Sequence, residues 1–346
     1  MRRLRPLFYG LLAAACSTSA WAQALDPATR AATEQAAVQA LKQHYILPAR
    51  LADLPKRLDA QRARLDAATD APAFAQALGQ LLAELTQDKH VRVAYSPQPL
   101  PADLAPTAGS LEQERQVYRY LNQGVVKVER LPGNLGYLDL RAFPSREHAA
   151  PKLLAAMQVL ADTEALIIDL RKNEGGLPET VAYLSSFFVK ERTHLNDVVW
   201  RTEKGEETES FHTEAVGLSY PHPVWVLISP RSVSAAEGFA YNLRQLKRVQ
   251  IAGQNSAGAA HPGGMHRLGE HFSLFVPSGR AANPYSGTNW EGVGVQPDLK
   301  VAPEDDALRL VQLQLLEGLQ AKAQDPRLQR GLRARVQELQ AAAPKS

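Results

Sequence analysis

Two nearly unbroken apolar runs, EALIIDLR (164–171) and VWVLIS (224–229), constrain this chain more than any other feature. Short continuous runs of this kind suit strands covered on both faces, as in the centre of a parallel sheet. Four further segments read as strands: VVKVERL (125–131), LGYLDLRAF (135–143), VQIAGQ (249–254) and FSLFVPSG (272–279). Helical patterns lie among them: HAAPKLLAAMQVLAD (148–162), PETVAYLSSFFV (178–189) and AAEGFAYNLRQLKR (235–248). Strands alternating with helices predict an α/β core with parallel pairing.

The flanks have a different texture. AATEQAAVQALKQHYI (31–46) and FAQALGQLLAELTQ (74–87) place apolar residues at helical spacing, and Pro48 and Pro55 interrupt the helices. VRVAYSP (91–97) is a short alternating strand, and the Pro-rich stretch after it reads as a linker. From Pro303 the chain is helical again, opening on acids that suit a helix N-terminus, and Pro326 separates a last helix. The expected division is a signal segment (1–22), a helical domain (23–96), a linker (97–115), an α/β core (116–302) and C-terminal helices (303–346).

Arg2, Arg3 and Arg5 precede a short apolar stretch, Leu7–Ala15, and a small-x-small site, Ala20-Trp21-Ala22. This pattern predicts a cleavable export signal, and so a periplasmic or secreted protein without a lasting membrane span. The alternative is an uncut N-terminal anchor. Cys16 weakly resembles a lipoprotein acceptor, but the Leu expected three places earlier is absent, so lipid anchoring is the lesser outcome. The whole chain carries 39 Lys and Arg against 36 Asp and Glu, and the three arginines of the signal account for the excess. The remainder is balanced and gives no case for nucleic-acid binding. Cys16 is the sole cysteine, so an internal disulfide and a cysteine metal site are both excluded.

Candidate chemistry begins at Ser234, where VWVLIS runs through a Pro-Arg-Ser turn into a helix. A hydroxyl at that corner sits at the positive end of a helix dipole, a suitable place for a nucleophile. Ser-x-x-Glu before an apolar run is equally the signature of a capping box, the commoner use of such a serine. Gly175-Gly176, after the EALIIDLR strand, can present bare amides to an anion or simply form a turn. Glu291, between Trp290 and Gly292, can orient an imidazole. His261, His266 and His271 recur at a spacing of five, which matches no familiar metal pattern, so no metal is expected. Neither GxGxxG nor GK[ST] occurs, and no cofactor is expected.

The ordered motifs LGYLDLRAF, ALIIDLRKNEGG, SPRSVSAAEGFAYNL, VQIAGQNSAGAAHPG and NWEGVGVQPD resemble those of the S41 family of serine peptidases. That family includes the C-terminal processing proteases, the tricorn core proteases and the interphotoreceptor retinoid-binding protein modules. The likeness is greatest to members without a PDZ insert. The resemblance implies a ClpP/crotonase-like ββα core beneath the helical domain. It places the nucleophile on Ser234, and the oxyanion donors on the Ala235 amide and one of Gly175 or Gly176. The tail-specific branch has a Lys base 25 residues after its Ser; here that position is Ala259, so this dyad is excluded. The tricorn-like branch uses a His at the end of the helical domain and a Glu in a W-E-x-x-G-V-x-P-D context. These fall on His90 as base and Glu291 as its orienter, with His261 as the alternative base.

The expectation is therefore an exported peptidase acting on peptides or unfolded protein through Ser234, His90 and Glu291. A catalytically silent module binding an apolar ligand or peptide is the alternative, and an esterase or amidase a third reading. The sequence specifies neither the oligomeric state nor the cleavage preference.

Overall fold

The computed structural model describes residues 25–104, 108–303 and 306–342. The expected signal segment and Cys16 lie outside the described residues. The N-terminal helices are α1 (Pro27–His44), α2 (Leu54–Asp59), α3 (Arg62–Asp66) and α4 (Ala71–Thr86). Asp26 and Asp70 cap α1 and α4 by accepting from Thr29 N and Ala73 N. Then come β1 (Arg92–Tyr95), α5 (Ala108–Tyr120), β2 (Val125–Leu131), β3 (Leu135–Leu140), α6 (Arg146–Leu160), β4 (Ala165–Asp169) and α7 (Pro178–Ser185). The stretch expected as linker thus contains the start of α5, a helix of strongly polar composition.

A hairpin, β5 (His194–Thr202) and β6 (Gly205–His212), leads to β7 (Val224–Ile228), α8 (Ala235–Gln245) and β8 (Gln250–Gly253). The chain continues through β9 (Gly263–Arg267), β10 (Phe272–Pro277), β11 (Gly279–Ala282) and β12 (Leu299–Lys300). It ends in α9 (Ala307–Lys322) and α10 (Pro326–Ala341).

The result is a mixed α/β fold around a six-stranded sheet, ordered β12-β8-β7-β4-β3-β2. All neighbours pair in parallel except β2 with β3. The apolar runs become β4 and β7, adjacent and buried at every position. Alternate side chains enter opposite cores. Leu166, Ile168, Val226 and Ile228 join a core beneath α6, α7 and α8, while Ile167, Trp225 and Leu227 pack with residues of α9.

A smaller sheet, β1-β10-β9, completes the N-terminal unit. Leu41, Phe74, Leu78 and Leu82 from α1 and α4 share a core with Phe272, Leu274 and Val276. This unit therefore borrows strands from the far end of the chain. Arg92 pairs with Phe275 and Gly263 with Pro277, so β1 and β9 both start at the same end of β10. The residues just before each strand, including His90 and His261, emerge together there. No helix of the described residues is long and apolar enough to cross a membrane.

Candidate active site

Ser234 follows β7 through a turn pinned to the neighbouring strand ends. Ser232 Oγ donates to Leu170 O at 2.7 Å and Ser229 Oγ donates to Arg171 O at 2.6 Å. Ser234 itself has φ 55° and ψ −115°, a conformation that costs an L-residue free energy and recurs at functional corners. It is exposed, while the residues after it, Ala235 to Ala240, are buried. Its backbone N–H donates to Glu237 Oε2 at 2.8 Å. The capping arrangement and an available hydroxyl therefore coexist, because the Glu237 carboxylate serves the main chain of Ser234.

Glu237 is fully buried and accepts four hydrogen bonds. Its Oε1 accepts from Ser256 Oγ (2.6 Å) and Gly258 N (2.7 Å). Its Oε2 accepts from Ser234 N and from Ala259 N (2.9 Å). Burial raises its carboxyl above the usual range, and the hydrogen bonds oppose that only in part. This side chain fixes the serine corner against the 256–259 loop.

The Gly loop lies against the same corner. A Cβ on Gly175 would sit 2.9 Å from Ser234 Cβ and 3.3 Å from Ala235 N. Gly175 has φ 99° and Gly176 φ 138°, open to glycine alone at low cost. The Gly175 amide donates to Asn173 Oδ1 at 2.9 Å, so it is committed. The amides of Gly176 and Ala235 make no hydrogen bond among the described residues. Of the two glycines expected from sequence, Gly176 is the one with a free donor. Asn173, buried and absent from the sequence expectations, braces this loop: its Nδ2 donates to Leu140 O at 2.9 Å, and its carbonyl accepts from Val233 N at 3.0 Å.

His90, His261 and Glu291 converge with a fourth residue, Asp88, whose side chain is wholly buried. Asp88 Oδ1 lies 2.8 Å from His90 Nδ1 and accepts from the His90 backbone N–H at 3.0 Å. Asp88 Oδ2 lies 3.3 Å from His261 Nδ1 and accepts from Tyr45 Oη at 3.0 Å. Glu291 Oε1 is 3.5 Å from His90 Nδ1, and its Oε2 is 3.7 Å from His261 Nδ1. Glu291 Oε2 also accepts from Ala260 N at 2.7 Å.

Burial opposes the charge on Asp88, yet the bonds from His261 and His90 hold its carboxyl far below the usual range. Burial would lower the His90 pKa, but the Asp88 bond and the nearby Glu291 and Asp88 charges raise it overall. With Nδ1 of His90 engaged by Asp88, Nε2 is the nitrogen left to exchange a proton. Asp88 was missed by the sequence reading; the Asp-x-His spacing in QDKH was the available signal.

The serine corner and the histidine cluster are joined through main chain. Ala259 N binds Glu237, the partner of Ser234, and Ala260 N binds Glu291. Ser234, Ala259 and Ala260 line one cavity of about 380 Å³. Among the described residues no hydrogen bond links the Ser234 hydroxyl to either imidazole, and such bonds commonly tighten only with substrate bound. Leu177, Val181, Leu195, Val198, Phe211 and Trp290 make most of the cavity wall apolar, with Glu179 and Glu209 as the acids. His266 and His271 lie apart from the cluster: His266 stacks on His44, and His271 Nδ1 bonds to Ser96 O.

Residues 134–301 match the family model described as Peptidase family S41. A carboxy-terminal-processing protease of Bartonella bacilliformis is 28% identical over 185 residues, covering 51% of this chain and 42% of that protein. A chloroplastic C-terminal processing peptidase of Tetradesmus obliquus is 25% identical over 170 residues, covering 49% of this chain and 36% of that protein. The chain thus matches less than half the length of these curated relatives. The solved structure of mature CPAF complexed with lactacystin superposes with a TM-score of 0.58 at 12% identity, covering 79% of this chain and 94% of that one, a likeness of fold.

Proposed function

This chain belongs to peptidase family S41 through residues 134–301, and on that premise we propose that it is an exported serine peptidase acting on peptides or unfolded protein. The observation that carries the reading is the exposed, strained Ser234 beside the uncommitted Gly176 and Ala235 amides at the mouth of an apolar cavity. In this mechanism His90 Nε2 takes the Ser234 proton as the hydroxyl attacks the substrate carbonyl. The Gly176 and Ala235 amides receive the developing oxyanion. Asp88 holds the His90 tautomer and balances the imidazolium, and Glu291 adds a second negative charge at 3.5 Å. His90 then returns the proton to the leaving amine, and water releases the acyl group. His261, bound to the same carboxylate, is the alternative base.

Fluorophosphonate labelling of the wild type against Ser234→Ala tests the nucleophile: equal labelling removes Ser234 from the reaction. His90→Ala against His261→Ala, assayed on a casein-like substrate, tests the base, and loss confined to His261→Ala reverses the assignment. The second reading, a silent module for an apolar ligand or peptide, draws on the apolar cavity and on the lack, among the described residues, of a hydrogen bond between the Ser234 hydroxyl and either imidazole. It requires no labelling and no hydrolysis.

A further inference from the structure

The carboxylates and imidazoles that would run the proton relay also have the composition and spacing of a metal site. Asp88, His90, His261 and Glu291 each offer one ligand atom, and these four atoms lie within 4.8 Å of one another. Both imidazoles turn Nδ1 inward. The four nitrogen-to-oxygen separations are 2.8, 3.3, 3.5 and 3.7 Å. A tetrahedral zinc ion with N and O ligands at about 2.0–2.1 Å requires ligand-to-ligand edges of about 3.3–3.4 Å. The measured separations run to both oxygens of each carboxylate, so the cage is not yet formed; with one ligand atom per residue already within 4.8 Å of the others, small side-chain rotations bring the four onto a single ion.

The chemistry of the donor set narrows the ion. Two imidazole nitrogens favour zinc, cobalt, nickel or copper over calcium or magnesium, which take oxygen. Two carboxylates balance a divalent charge. The surroundings are closed: side-chain exposure is 0% for Asp88, 5% for His261, 16% for His90 and 17% for Glu291. The carboxylates are held by outer donors, Tyr45 Oη and His90 N on Asp88 and Ala260 N on Glu291, an arrangement that orients metal ligands. No local sequence motif reveals the set, because its members come from the end of α4, the turn before β9 and the loop after Trp290.

We propose that Asp88, His90, His261 and Glu291 form a tetrahedral site for a divalent transition ion of the zinc type, and that its occupancy switches the peptidase off. The site stands on geometry alone; the switch rests on the assignment of His90 as base. An ion bound at Nδ1 takes the place of the proton there. The neutral ring then carries its proton on Nε2, which becomes a donor and no longer accepts from Ser234. The ion also withdraws Asp88 and Glu291 from balancing an imidazolium. Removal of the ion restores the Nδ1–H tautomer.

Binding is measured on the full chain carrying Ser234→Ala, so that it does not depend on hydrolysis. Titration with Co²⁺ alone is expected to give the intense visible bands of tetrahedral cobalt at one ion per chain, and one equivalent of Zn²⁺ should abolish them. In that background His261→Ala and Glu291→Gln should each weaken cobalt binding by about 100-fold or more. Glu291→Gln is nearly isosteric and covers the case in which His261→Ala does not fold. His194→Ala should leave binding unchanged, because the stacked His194–His212 pair is a separate cluster. Absence of tetrahedral bands, or bands unaffected by His261→Ala and Glu291→Gln, overturns the site. In the wild type, micromolar Zn²⁺ should suppress casein hydrolysis at least tenfold and a chelator should restore it. Full activity with the site occupied overturns the switch and leaves the cage standing.

Discussion

Asp88 lies 2.8 Å from Nδ1 of His90, closer than Glu291 at 3.5 Å. The sequence motifs assigned the orienting role to Glu291, whereas the geometry gives the shorter bond to a buried acid two residues before the histidine. Asp88→Asn keeps the side-chain shape but lets the amide donate to Nδ1, which favours the wrong tautomer. The expected loss is about 10³–10⁴ in kcat with little change in KM, by analogy with triads whose Asp is replaced by Asn. Glu291→Gln should cost less. The order of the two effects, read from kcat on a peptide substrate, checks the assignment.

Gly176 is the glycine whose amide makes no hydrogen bond among the described residues, and a Cβ there would enter the carbonyl of Phe143. Gly176→Ala should displace the loop and its donor together. A lost oxyanion donor costs about 10²–10³ in kcat. Fluorophosphonate labelling of Ser234 should slow in parallel, while circular dichroism reports whether the sheet persists. Normal turnover in a folded Gly176→Ala protein would contradict the donor assignment.

Glu237 is structural support for the serine corner. Glu237→Ala strands Ser256 Oγ and the amides of Ser234, Gly258 and Ala259 without an acceptor. The expected destabilisation is about 3–5 kcal/mol, read by chemical denaturation. Burial raises this carboxyl above the usual glutamate value of 4.5. The native state then binds the proton more tightly than the unfolded chain. Its contribution is complete below pH 4.5 and declines as pH rises through the raised value. Glu237→Gln lacks this titration, so its stability relative to wild type should improve as pH rises through that window.

Much of this arrangement is legible in the sequence where a single physical rule dominates. ALIID and VWVLI are apolar throughout because both faces of β4 and β7 are covered, and no other element suits them. Ser234 and Gly175-Gly176 are legible because strand-to-helix corners need small residues and bare amides. The hairpin of β5 and β6 was not legible: GEETESFH is largely exposed and shows no alternation of apolar and polar residues. Asp88 escaped notice because its significance lies in pairing across the fold. Its contact with His261 depends on β1 and β9 flanking β10 in register, which local periodicity does not encode. The choice between Gly175 and Gly176 likewise turns on one hydrogen bond from Asn173.

The proposed peptidase activity carries a substrate preference set by the cavity beside Ser234. Its walls are Leu177, Val181, Leu195, Val198, Phe211 and Trp290, and its charged residues, Glu179 and Glu209, are both acids. An apolar side chain entering it is desolvated at a gain of about 1.5–3 kcal/mol for a Leu or Phe. An acidic side chain loses its hydration and meets two like charges, whereas a lysine finds partners in them. Peptides differing only at the residue that enters the cavity should therefore rank Leu and Phe first, Lys second and Asp last. The Leu-to-Asp ratio of kcat/KM should exceed about 10², since burying an unpaired carboxylate costs several kcal/mol. Glu179→Gln with Glu209→Gln should narrow the gap between Lys and Asp without altering the Leu rate. Equal cleavage of the Leu and Asp peptides would mean that the scissile residue's side chain does not occupy this cavity.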